Sequence, residues 1–147
     1  MKRFSFRLEP VLEYRSEKEE KAILEQSLAQ KEYLEQLSIL EDIRHRLDDA
    51  METGTDSFAV GECLARSLYI DRLTAFQARQ EKVVDGAFRE LEKKRQKVIK
   101  ARKDRLALQN LKDRLHEKYV KELNRWEAKA IDDQCTVLTY RKEGIGD

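Results

Sequence analysis

Side chains able to do acid–base, nucleophilic or metal chemistry are few and scattered. The 147 residues hold two histidines, His45 and His116, and two cysteines, Cys63 and Cys135. A proton shuttle, a thiolate nucleophile or a zinc site needs such groups held within bonding reach of one another. Here each histidine sits among charged neighbours, as surface histidines do, and no Cys/His cluster has ligand spacing. No glycine-rich loop is present to cradle a phosphate. Carboxylates abound, but solvated helix faces and i,i+4 ion pairs account for them. The expectation is a protein that is not an enzyme and takes no metal, cofactor or small molecule.

The chemistry that remains is association. The run KKRQKVIKARKDR carries eight basic residues and one acidic one: Lys93, Lys94, Arg95, Lys97, Lys100, Arg102, Lys103 and Arg105 against Asp104. Such a stripe binds an acidic protein surface or a nucleic acid, or else faces an acidic arm of its own chain. It holds no aromatic and no helix-turn-helix pattern, so nucleic-acid readout is not expected. Trp126 is the single tryptophan, and tryptophan is over-represented at binding hot spots.

The elements that position these residues follow from composition. Charged residues make up 40% of the chain, with 5 glycines and 1 proline, and the abundant types are strong helix formers. Such a sequence folds as long helices burying a narrow seam. A first helix is expected over about 9–50, with Pro10 at its start. Its apolar stripe reads Leu8, Val11, Leu12, Ile23, Leu24, Leu28, Tyr33, Leu37, Leu40, Leu47 and Met51, at spacings mostly of 3 and 4. TGTDS, with Gly54 and three cap-type residues, marks a turn at about 52–57. A second helix is expected over about 58–137, followed by a frayed tail at 138–147. Its 3,4 walk reads Ile70, Leu73, Gln77, Gln80, Val84, Ala87, Leu91, Lys94, Val98, Ala101, Arg105 and Leu108. The polar entries mark a loose coiled coil.

The predicted fold class is therefore all-α: two long helices forming an antiparallel coiled-coil hairpin, the second helix longer and overhanging, as one elongated domain. Charge supports the pairing. Positions 13–52 carry 12 acidic and 6 basic residues, whereas positions 89–129 carry 15 basic and 7 acidic, so the arms attract. On a continuous second helix Cys63 and Cys135 stand on the order of 100 Å apart, too far for a disulfide. Two free thiols, no secretory signal and no apolar run near ~20 residues point to the cytoplasm.

Folding the chain at the turn sets residue 10 opposite about 98–110, by equal rise per residue. The second helix then outruns the first, and an apolar row continues through Leu111, Leu115, Tyr119, Leu123 and Trp126. Exposed rows of this kind mark partner surfaces. Leu8, Val11 and Leu12 are expected to close the seam, leaving Phe4 and Phe6 beside the uncovered row. Tyr69, Phe76 and Val83, spaced by seven, either widen the seam or form a second contact surface with Ile39 and Ile43.

These features resemble the FliJ family, stalk proteins of the flagellar type III export apparatus. The opening FSFRLEPVLEYRSEKEEKA is similar to that family's alternating aromatics followed by a charged stretch. The later Lys-Lys-Arg region, the step from Leu108 to Arg114, and Glu127, Lys129, Asp132 and Asp133 are similar as well. The resemblance implies a non-enzymatic export component whose paired ends insert into a hexameric export ATPase and which also contacts the export-gate membrane protein and substrate chaperones. It places Phe4, Phe6, Leu111, Leu115, Tyr119, Leu123 and Trp126 at the ATPase ring. It places Ile39, Ile43, Tyr69, Phe76 and Val83 at the gate or a chaperone, and the protein at the inner face of the membrane below the flagellum. A homodimerising coiled-coil adaptor or chaperone and a basic nucleic-acid-binding arm are the alternatives.

Overall fold

The computed structural model describes residues 3–52 and 59–143. Two helices make up nearly all of them: α1, Glu9–Glu52, and α2, Val60–Glu143. Leu8 supplies the carbonyl that Leu12 N–H binds at 3.0 Å, so α1 begins at Glu9 and Pro10 falls in the first turn, where its missing N–H costs nothing. Ala59 plays the same part for α2, accepting from Cys63 N–H at 3.1 Å. Glu62 in the first turn complements the positive end of the helix. The expected turn residues, including Gly54, lie outside the described residues apart from Glu52, which is helical. α2 continues to Glu143, six residues beyond the expected end. No described helix is long and apolar enough to cross a membrane.

The chain divides into two compact units, one of Glu17–Arg102 and one of Met1–Ser16 with Lys103–Asp147. In the first, the helices pair antiparallel. Arg66 near the start of α2 donates to the carbonyls of Ala50 (2.9 Å) and Met51 (2.7 Å), satisfying two orphan acceptors at the end of α1. Farther along, Gln80 meets Gln36, Lys94 meets Glu25, and Arg102 meets Glu19. Partners on α1 fall in number as those on α2 rise.

On α2 every seam position expected in this unit, from Ile70 to Ala101, is buried or half-buried, and Leu91 is only 1% exposed. On α1 the expected stripe holds at Tyr33, Leu37, Leu40 and Leu47 but, within this unit, not before them. Leu24 and Leu28 are 62% and 60% exposed, and Ile23 is also exposed. Besides Leu37, the covered residues are Glu19, Ala22, Gln26, Ala29, Tyr33, Gln36, Leu40, Ile43, Leu47 and Ala50. They form an unbroken 3,4 walk, and continuity of phase along the coil selects them over the larger apolar residues beside them. The buried polar groups are partnered. Gln80 Nε2 donates to Gln36 Oε1 at 2.8 Å and to its carbonyl at 3.0 Å. Arg102 Nε donates to the buried Glu19 at 3.2 Å.

The second unit is also antiparallel. Arg15 donates to the Asp104 carbonyl at 2.7 Å, and Lys112 Nζ donates to Glu9 at 2.7 Å. These pairs set residue 10 opposite about 109–111, at the upper end of the expected range. Phe6 and Leu12 are buried, whereas Leu8 and Val11 are exposed. The expected roles of Phe6, Leu8 and Val11 are thus exchanged. The Phe6 carbonyl accepts from Glu9 N–H at 3.1 Å, a tight turn that folds the Phe6 ring into the core while Leu8 and Val11 face outward.

Candidate interaction surfaces

The first surface belongs to the unit built from 3–16 and 103–143. Phe4 stands edge-on to His116, with centroids 5.1 Å apart, and tilted on Tyr119 at 5.6 Å. Such pairs add about 0.5–1.5 kcal/mol beyond area burial. His116, which sequence alone marks only as a surface histidine, is therefore with Tyr119 one of two rings that seat Phe4. An aromatic near the N-terminus is the one signal that could have suggested it. Beyond Tyr119 the apolar row runs on along α2 with Leu123 half-buried and Trp126 56% exposed. Ile131, Val137 and Leu138 are exposed past it. Leu111 and Leu115 are exposed on the same unit. Of the seven residues assigned to a ring contact, Phe6 is core and the other six retain accessible surface.

The second surface lies on the Glu17–Arg102 unit. Tyr69, Phe76 and Val83 each precede a seam residue by one position and are exposed. They flank the seam rather than widen it. Ile39 precedes buried Leu40 in the same way and is exposed, whereas Ile43 is buried in the seam and is not available to a partner. In an antiparallel pair the positions that precede the seam on both helices share one edge, so Ile39 joins the α2 trio there.

The basic run is largely engaged within its own units. Lys94 binds Glu25 at 2.6 Å and Arg102 binds Glu19. Lys93 pairs with Glu90, and Arg95 with Glu92. Arg105 is half-buried, while Lys97, Lys100 and Lys103 are exposed. The groups whose pKa moves all move toward their charged forms. Lys94, by its hydrogen bond, holds the Glu25 carboxyl below its ordinary 4.5, and Glu25 in turn raises Lys94. Lys93 lowers Glu90, Gln77 and Arg44 lower Glu81, and Lys121 lowers Glu117. A carboxyl tuned for general-acid work moves the other way.

The sign of these shifts gives a pH dependence. Carboxylates with depressed pKa stabilise the fold fully above the unfolded value and lose that contribution as pH falls through the folded value. Helicity measured by circular dichroism is therefore expected to hold down to pH 4.5 and to weaken below it. Lys94→Met is expected to make that acid loss shallower.

His45, Cys63 and Cys135 are not brought together with His116 into a site. Among the described residues no group of three or more His, Cys, Asp or Glu side chains could hold a metal ion. The shallow depressions around Leu34 and around Leu68 are each lined by one helix alone. Each unit presents exposed apolar side chains along its helices. The chain matches the family described as Flagellar FliJ protein over residues 4–144. It belongs to the FliJ family. No curated protein and no solved structure is significantly similar to the chain. Membership makes the protein a component of the flagellar export apparatus. The match takes in both helices.

Proposed function

We propose that this FliJ-family protein is the non-enzymatic stalk of the export machinery, inserting its paired ends into a hexameric export ATPase and reaching the export gate with its middle. The observation that carries this reading is the continuation of α2 past the Phe4 contact, with an exposed apolar row ending in Trp126 and beyond. Phe4, Leu111, Leu115, Tyr119, Leu123 and Trp126 would face the ring. Ile39, Tyr69, Phe76 and Val83 would face the gate membrane protein or an export chaperone. The stalk works on the cytoplasmic face of the membrane at the flagellar base.

Addition of the purified protein to the cognate export ATPase is expected to raise its hydrolysis rate. No change at stoichiometric excess overturns the reading. A homodimerising adaptor is the second reading, favoured by the exposed Val137 and Leu138 at the far end of α2. A tight dimer in sedimentation equilibrium would support it over the stalk.

A further inference from the structure

The Glu17–Arg102 unit has a second lateral edge, opposite the one bearing Phe76. Its position is fixed by two contacts. Arg44, one residue after seam Ile43, binds Glu81, one residue after seam Gln80, at 3.3 Å. The Tyr33 and Phe88 rings meet at 5.7 Å. Residues seven apart share an edge of a coiled coil, so Ile23, Gln30 and Leu37 line up with Arg44, and Phe88 and Arg95 with Glu81. Leu34 and Ile99 sit just outboard. Ile23, Leu34, Phe88 and Ile99 are exposed, and Leu37 and Tyr33 are half-buried. This is a furrow about 20 Å long, at helical rise from 23 to 37, apolar at these positions and interrupted midway by Gln30 and by the Arg95–Glu92 pair.

Its borders are acidic. Glu20 and Glu41 flank it on α1, and Asp85 flanks it on α2, three or four residues from the furrow positions and all exposed. The arginines of this edge are matched by carboxylates of the same unit: Arg44 by Glu81, Arg95 by Glu92, and Arg102 by Glu19. Glu20, Glu41 and Asp85 are the surplus, and they set the sign of the field over the furrow. The basic residues Arg72, Arg79, Lys93 and Lys100 lie on the other side of α2, also by sevens.

We propose that this furrow docks a basic amphipathic helix of a partner protein, laying apolar side chains between Ile23, Leu34, Phe88 and Ile99 and cations against Glu20, Glu41 and Asp85. The apolar width and length suit one helix of four turns in a three-helix arrangement, and the charge selects a cationic one. The contact goes beyond the ring and gate contacts, since it uses neither the Phe4 end nor the Phe76 edge, and a failed ATPase assay leaves it standing.

The test uses the full chain and a fluorescent model helix of about 18 residues made of leucine and lysine in amphipathic order, with a leucine–glutamate helix of the same pattern as comparator. Fluorescence anisotropy is expected to show binding of the lysine helix and not of the glutamate helix. Phe88→Ser, and separately the pair Glu41→Lys and Asp85→Lys, are each expected to weaken it at least about tenfold, whereas Phe76→Ser on the opposite edge leaves it unchanged. All these sites are exposed, and circular dichroism checks that the helices persist. Equal binding of both model helices overturns the proposal, as does lysine-helix binding unaffected by the charge-reversed pair. So does a dimer of the wild-type chain that Phe88→Ser dissociates, which would make a second copy the occupant.

Discussion

Leu115→Ala combined with Trp126→Ala is expected to abolish co-purification with the export ATPase. Truncating a hot-spot tryptophan commonly costs 2 kcal/mol or more, about 30-fold in affinity, and a neighbouring leucine adds to it. Both side chains are exposed on α2, so the pair removes contact surface without opening a core. Helicity is expected to stay at the wild-type level, and a loss of binding then reports the interface itself. Wild-type retention of the double variant on the ATPase would remove the far end of α2 from the contact. Phe4→Ala is the sharper companion. It strips the ring packed on His116 and Tyr119, so it uncovers Tyr119 as it removes Phe4.

The second large effect is on stability. Leu91→Ala is expected to lower the unfolding free energy by about 2–5 kcal/mol, the range for emptying a packed leucine site. Leu91 is the most completely buried large side chain among the described residues. The seam phase on α1 puts small Ala29 among the covered residues one turn from Gln26, and a methyl group cannot swell into the cavity. Urea unfolding followed at 222 nm measures the change. Leu24→Ala and Leu28→Ala are expected to change stability by no more than about 0.5 kcal/mol, as exposed positions do. Equal losses at Leu28 and Leu91 would restore the larger apolar stripe as the α1 seam.

That contrast shows where sequence is readable and where it is not. The α2 seam was legible because its 3,4 walk is carried by Val84, Leu91, Val98 and Ala101, with the polar entries in phase. On α1 the two signals conflict. Ile23, Leu24 and Leu28 draw attention by hydrophobicity, yet the phase linking Leu12 to Leu40 passes through Glu19, Ala22, Gln26 and Ala29. Small and hydrogen-bonded residues at a seam are invisible to a hydrophobic count until the opposite helix supplies their partners. Ile43 lies in the seam and not at the edge for a related reason: it is one turn from Ile39, and only the register tells seam from edge. At the start of the chain, Phe6 and Leu8 exchange places through a turn that no helical periodicity describes. The family resemblance was legible in full, because it rests on motif order along the chain rather than on which face a residue takes.

The Gln80 amide bound to Gln36 has a mechanical consequence. A slip of the hairpin by one heptad would bring Gln80 opposite Ala29 or Ile43, and Gln36 opposite Leu73 or Ala87. Each amide would then be covered without a partner, at a cost of about 1–3 kcal/mol apiece. The leucines on either side tolerate sliding far better, as one apolar contact replaces another. The glutamine pair therefore acts as a detent. Within the Glu17–Arg102 unit it resists axial shear of one helix past the other at this notch.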